Sequence, residues 1–330
     1  MKQPNSEQNT GLPGHGPGTA VSCGSRENYF SRLLRNISMN KAVYILGLAC
    51  LSWYFIFCYA PIGGILIAFK NYKPILGVLK SQWVGLRYFQ QLFSSFYFFR
   101  LLRNTLLINI YDIIFGFPAP VIFALLLNEI HHSGFKRAVQ TATYLPYFIS
   151  QVIICGILAN FLASNGLITW IYSSITQTEP RNLLTMAGNF RTIYVASGIW
   201  QGVGYGSIIY LSALSAVDPQ LLDAAAIDGC SRFGRIWHVT LPAIFPTIII
   251  MLLLRLGNIM SVGFEKIILL YDGSTYETAD VISSYVYRYG LLQGNYSYST
   301  AVGLFNSIIN FAFLVIVNQI SRKVTEVSLW

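Results

Sequence analysis

Six stretches of this sequence are apolar for long enough to cross a bilayer: residues 42–69, 104–128, 142–163, 192–214, 243–264 and 300–320. A hydrocarbon core requires about 20 helical residues. Each stretch therefore predicts a transmembrane helix, and the fold class that follows is an all-α polytopic membrane protein. Only 11% of residues are charged and 54% are hydrophobic, whereas soluble domains carry about 25% charge. Such a chain has too little polar surface to cover itself in water. Its 330 residues would allow two soluble domains, but the apolar blocks read instead as one membrane domain over 41–330. An even number of spans puts both termini on one side. Pro61, Gly63, Gly64, Pro118, Pro120 and Pro146 lie within spans, which predicts kinked helices whose freed backbone groups are satisfied by neighbours.

The remaining segments predict simpler structure. Residues 1–40 read as a disordered, basic N-terminal tail: Gly, Pro, Asn and Ser dominate to about residue 25, without a signal-peptide core. A basic lead-in from Arg26 to Lys41 would then meet lipid headgroups. Arg87–Phe99 is aromatic and too short to span, with Phe89, Leu92, Phe93 and Phe96 at helical spacing, which predicts an interfacial helix. Gly198, Gly202 and Gly206 recur every fourth residue and predict a bare face for close helix approach. The five cysteines show no metal-ligand spacing and read as free thiols, and His131–His132 read as solvated, so no metal is expected. The formal charge of +9 fits basic flanks facing anionic lipid, and no basic-aromatic module points to nucleic acid. The charge rule for orientation ties, with four Lys/Arg within 20 residues on either side of the first span. Lys136 and Arg137 lean the second loop toward the cytoplasm.

The stretch Asp218 to Pro242 carries most of the functional information. Asp218 can cap a helix with Pro219 at its first position. Leu222, Ala225 and Ala226 share one apolar side, Gly229 permits a sharp turn, and Pro242 opens the fifth span. A short rigid helix pair suits a groove in another protein. The stretch resembles the loop of permease subunits of ATP-binding-cassette importers, whose signature is Glu-Ala-Ala, three residues, Gly, nine residues, Ile, one residue, Leu-Pro. Asp223-Ala224-Ala225, Gly229, Val239 and Leu241-Pro242 keep both spacings, with Asp for Glu and Val for Ile. The likeness extends from about Lys41 onward through Ala68-Phe69-Lys70, Asn104-Thr105-Leu106, Phe117-Pro118-Ala119-Pro120, Leu127-Asn128-Glu129, Tyr144 to Ser150, Tyr276 to Ile282, Tyr285 to Arg288 and Ala301 to Phe305. It is closest to the branch that imports oligosaccharides.

This resemblance implies the six-helix, MetI-like fold of type I importer permeases, with a shared core over about 98–320 and a coupling loop at 215–240. It implies a multi-pass protein of the bacterial cytoplasmic membrane with both termini cytoplasmic, since the coupling loop must face the ATPase. The implied partners are a second permease, two ATPase subunits, an extracytoplasmic solute-binding protein, an oligosaccharide substrate and membrane lipid. The implied mechanism is alternating access. The chain has no Gly-x-x-x-x-Gly-Lys-Ser/Thr phosphate loop and no nucleophile elbow. It is therefore expected not to be an enzyme and to bind no cofactor, with ATP and Mg held by the partner ATPase.

Arg255 falls near the middle of the expected fifth span, where a lipid-facing charge is costly. It is expected to face the bundle interior, with Asp112 of the second span available to neutralise it. Arg255 and Asn258 then read either as contacts to sugar hydroxyls or a uronate carboxylate in the passage, or as a structural network. The seven tyrosines between Tyr271 and Tyr298 read as a docking surface for the binding protein or as an interfacial belt. The rival function is an ion-gradient-driven secondary transporter, which predicts paired repeats and intramembrane carboxylates. Only Asp112 lies within a span, and no repeat is evident.

Overall fold

The computed structural model describes residues 39–325, with side chains to residue 323. The tail expected over 1–40 thus lies outside the described residues up to position 38. The chain forms two compact units, up to Ile62 and from Gly63 onward. The first contains α1 (Lys41–Tyr54), none of whose residues is buried. Such an apolar, wholly exposed helix is stable only against lipid or a partner.

The helical run from Lys41 continues to Phe69 through a wide turn at Phe55–Tyr59 and a tighter helix at Ala60–Phe69. A two-stranded antiparallel ribbon follows, with Lys70 opposite Trp83 and Asn71 opposite Gln82. The expected interfacial helix over Arg87–Phe99 is split in two. A seven-residue helix α2 (Arg87–Phe93) ends at Ser94, and α3 (Phe98–Tyr111) begins the second span. Leu92 anchors α2 in the core, whereas Phe96 is exposed in the break.

Beyond α3 come a wide turn at Asp112–Gly116, α4 (Pro118–Asn128) and α5 (Ser133–Tyr144). His132 caps α5 by accepting the Phe135 N–H at Nδ1, 3.1 Å away. The third span was expected over 142–163, but the helix stops at Phe148. Ile149 is extended, and Ser150 starts α6 (Gln151–Leu162) by accepting the Ile153 N–H at 3.4 Å. A serine that can cap takes over where the preceding proline turn has spent its hydrogen bonds. With α7 (Leu167–Thr176), the apolar run extends to Thr176.

The fourth expected span, 192–214, falls within α8 (Phe190–Ser215), 26 residues long and so about 39 Å at 1.5 Å per residue. After α9 (Pro219–Ile227) and the single turn α10 (Arg232–Arg235), a wide turn at Ile236–Thr240 leads into α11 (Leu241–Leu256). This run, Arg232–Leu256, is the fifth span, earlier than the expected 243–264. Ser231 starts it by accepting the Gly234 N–H at 3.2 Å, and Gly257 follows its end. A short helix α12 (Phe264–Leu270), two helical turns at Tyr276–Ala279 and Ile282–Val286, and α13 (Tyr296–Thr325) complete the chain. Five helical runs are long and apolar enough to cross a membrane among the described residues. α8 has the length but is not among these five, so the count of six is consistent with the structure without being fixed by it.

Three wide turns, at Phe55–Tyr59, Asp112–Gly116 and Ile236–Thr240, each end two residues before a proline: Pro61, Pro118 and Pro242. Proline has no N–H, and its ring crowds the carbonyl one turn back. Widening the turn moves that carbonyl aside; the Phe117 N–H, for example, reaches the Asp112 carbonyl at 2.8 Å. Of the prolines read as interrupting spans, Pro61 and Pro118 are accommodated this way.

Three buried clusters hold the second unit together. Val121, Ala124, Tyr210, Leu214 and Ile244 join α4, α8 and α11. Ile108, Cys155, Phe190, Ile267 and Val281 join α3, α6, α8 and α12. Leu92, Leu101, Met260, Ile282, Tyr285 and Val302 join α2, α3 and α13. Among the glycines of α8 the tightest is Gly204, where a methyl group would overlap the Thr143 carbonyl of α5. The expected stripe behaves differently. Gly206 meets Pro120 of α4, but nothing lies within 4 Å of a side chain built at Gly202, because that face opens onto a cavity.

Candidate functional site: paired cavities and an exposed helix pair

Two adjoining cavities, of about 570 and 600 Å³, share Asp112, Gly198, Arg255 and Ser261. The first runs along the glycine face of α8 and takes in Asn258; the second takes in Asn109, Gln151, Gln201, Glu265 and Lys266. Arg255 and Asp112 form an ion pair through Nη2 and Oδ2, so the expected neutralising partner is in place. Arg255 is not at mid-span, however. The fifth span ends at Leu256, which puts this cation in the last helical turn, where the helix dipole favours it. Its side chain is 53% exposed, against 19% for Asp112, so the pair borders open space. Asn258 lies beyond the helix end and donates to the Leu254 carbonyl at 3.1 Å, instead of sharing a helical face with Arg255.

Lys266 was not flagged by the sequence. It is only 8% exposed, with Nζ donating to the Tyr194 carbonyl at 2.8 Å and lying 4.7 Å from the centre of the Tyr194 ring. No carboxylate lies within ion-pair distance of it among the described residues. Burial pushes its ammonium down to about 8, against smaller upward pulls from Cys155 and Asp112. The available signal was a lysine immediately ahead of the apolar run Ile267-Ile268-Leu269-Leu270.

The tyrosine-rich segment is mainly an internal brace. Tyr285 and Tyr298 are 4% exposed, Tyr285 packs on Tyr289 at 4.2 Å, and Tyr271 on Tyr276 at 5.0 Å. Asp280, with no exposure, binds Arg288 at 2.7 Å and Arg100 of α3 at 3.5 Å, and accepts from Ser284 at 2.8 Å. Burial alone would pull the Arg288 guanidinium down; the Asp280 carboxylate outweighs it and leaves the pKa raised. Asn104 donates to the carbonyls of Glu277 and Asp280 at 2.9 and 3.0 Å and accepts from Arg191 at 3.0 Å. These bonds clamp the segment to α3 and α8.

The helix pair is built as its sequence suggests. Asp218 accepts the Gln220 N–H at 2.9 Å and Pro219 opens α9. At the other end the Gly229 N–H reaches the Ala226 carbonyl at 3.1 Å and the Cys230 N–H the Ala225 carbonyl at 2.9 Å. Gly229 adopts φ +78°, the left-handed position that this helix stop requires. Leu222 and Ala225 turn inward, while Asp223, Ala224, Ala226 and Gly229 are exposed. Val239 and Leu241 are half-buried and Pro242 is exposed. Ile227 is 87% exposed, Phe233 75% and Trp237 60%, an apolar surface on a stiff support.

Residues 92–326 match the model of the family described as binding-protein-dependent transport system inner membrane component. The chain belongs to this family. Among relatives of the permease, protein LplB of Bacillus subtilis is 43% identical over 89% of this chain and 92% of its own length. The polygalacturonan/rhamnogalacturonan transport system permease protein YteP of the same organism is 40% identical over the same shares. A solved bacterial alginate ABC transporter, in complex with an alginate pentasaccharide-bound periplasmic protein, contains a chain with a TM-score of 0.82. That chain is 40% identical, with 90% of the permease and 100% of that chain covered. The permease is accordingly a multi-pass inner-membrane component with the fold of importer permeases.

Proposed function

We propose that this chain is the permease subunit of an ATP-driven, binding-protein-dependent importer of oligosaccharides, forming half of the translocation passage. The observation that carries the reading is the loop from Asp218 to Pro242. It combines the spacing of the coupling motif with a helix capped at both ends that offers Ile227, Phe233 and Trp237 to a partner. Capping at both ends fixes the helix direction, so force on it moves the attached spans α8 and α11 instead of unwinding it. Asp223, Ala224 and Gly229 would face the ATPase cleft and Ala225 would seat the helix on its own support, with Val239, Leu241 and Pro242 passing the motion into the fifth span.

ATP hydrolysis belongs to two separate ATPase subunits, which hold ATP and Mg; this chain binds no cofactor. The second half of the passage comes from another permease, and a solute-binding protein delivers the sugar from outside. The permease domain spans 41–330, with residues 1–40 as a cytoplasmic tail and both termini on the ATPase side. Arg255 and Asn258 line the passage. The cavity they border supports this reading, since Asp112, Arg255, Asn258 and Ser261 set polar groups into otherwise mainly apolar walls along the glycine face of α8.

Affinity purification of the tagged chain from native membranes tests the assembly. Recovery with an ATPase subunit and a second permease is expected. Recovery of the chain alone, under conditions that preserve a known importer, would favour the ion-driven transporter.

A further inference from the structure

Within the paired cavities the positive charges differ in availability. Arg255 is committed to Asp112, and the pair is close to neutral as seen by a passing solute. Lys266 has no carboxylate partner among the described residues. An ammonium has three donors; one is used by the Tyr194 carbonyl, and the aromatic face nearby adds only a weak attraction. A buried cation left in this state is costly, and an anion supplied from outside removes the cost. Around it stand side chains suited to a sugar. Gln201 lines the same cavity with no hydrogen bond among the described residues, and Gln151 spends its amide only on a 3.8 Å contact with the Cys155 sulfur. Glu265, the neighbouring carboxylate, is exposed at the cavity rim, whereas Lys266 is buried in its wall.

From this geometry we infer that Lys266 is the carboxylate-reading residue of the passage, so that the cargo is an acidic, uronate-containing oligosaccharide. Gln151 and Gln201 serve as hydroxyl partners. The inference rests on the oligosaccharide-importer reading above and names the substrate class for it. A uronate carboxylate entering the second cavity completes the ion pair that Lys266 lacks. Arg255, already paired, then orders the wall on the far side and does not compete for the sugar. The contact is formed during passage only, since a charge-assisted bond to a single cation can be broken again when the spans move. Galacturonans and alginate, named in the transport functions of a relative and a solved neighbour, are polymers of uronic acids and carry the carboxylate this wall would read.

The test uses the whole importer in proteoliposomes, with its ATPase, second permease and binding protein. Uptake of di- to pentasaccharides of galacturonate and of alginate is compared with uptake of their carboxyl-reduced, neutral forms. In Lys266→Met, uptake of the acidic sugars should fall at least tenfold; in Lys266→Arg, which restores the charge, it should fall no more than about threefold. The yield of assembled complex and its size-exclusion profile should match wild type within about twofold, which reports that the variants fold. The inference is overturned if Lys266→Met imports acidic sugars as wild type does, if Lys266→Arg is as defective as Lys266→Met, or if neutral sugars lose uptake to the same extent. Import of neutral forms alone by wild type overturns it while leaving the oligosaccharide reading intact. Wild-type import of neither class defeats that reading, and the inference with it.

Discussion

Replacing Asp280 by Asn should weaken the brace that ties the tyrosine-rich segment to the spans. The carboxylate is fully buried and contacts Arg288 at 2.7 Å and Arg100 at 3.5 Å. Asparagine keeps the shape and one acceptor for Ser284 but removes the charge facing two guanidinium groups. Removing one partner of a buried pair costs about 3–5 kcal/mol. The arginine side chains are still 19% and 25% exposed, so water recovers part of that cost, and a loss of about 3 kcal/mol is expected. For a chain of this size each kcal/mol corresponds to roughly 2 °C in Tm, giving a drop of about 6 °C. The assay is thermal unfolding of the purified chain in detergent, followed by fluorescence-detected size exclusion. Glu277→Gln is the control, because Glu277 is exposed and is engaged through its backbone carbonyl. A drop under about 2 °C in Asp280→Asn, or one equal to that of the control, would refute the brace.

Other outcomes follow from single positions. Gly204→Ala should lower thermal stability, since its methyl group overlaps the Thr143 carbonyl, whereas Gly202→Ala, which faces open space, should leave it unchanged. Gly229→Val forces a branched side chain into φ +78°, at about 1–2 kcal/mol; ATP-driven uptake should fall severalfold while the complex still assembles, and unchanged uptake would count against the coupling role. The Lys266 ammonium is held at about 8 against an ordinary 10.5, so between those values the unfolded chain binds more protons than the folded one. Stability should therefore rise with pH across that window, and Lys266→Met should abolish the rise in a Tm-against-pH series.

Much of the fold is legible in the sequence because lipid imposes a simple length rule on apolar runs. The failures occur where local hydrogen bonding, not hydropathy, sets the ends. Ser150 and Ser231 cap helices inside or ahead of apolar stretches, which moves the third and fifth spans, and Ser94 to Tyr97 breaks a run that is aromatic throughout. The helix pair at 218–242 could be read nearly residue by residue, because capping residues, Gly229 and Pro242 act locally. The glycine stripe of α8 is legible only in part: Gly206 meets Pro120 of α4 as its spacing predicts, whereas Gly202 faces a cavity, which spacing alone does not distinguish. Asp112 and Arg255 could be paired because charges within spans are rare; Lys266 and Asp280 lie in connecting segments, where a charge looks ordinary until burial is known.

The most direct measurement of the central claim is sugar uptake by proteoliposomes containing this chain, a second permease, the ATPase subunits and a loaded binding protein. The account predicts uptake that requires ATP and the binding protein, persists when ionophores collapse all ion gradients, and disappears when the ATPase is omitted. Uptake by this chain alone, driven by an ion gradient and indifferent to ATP, would contradict it.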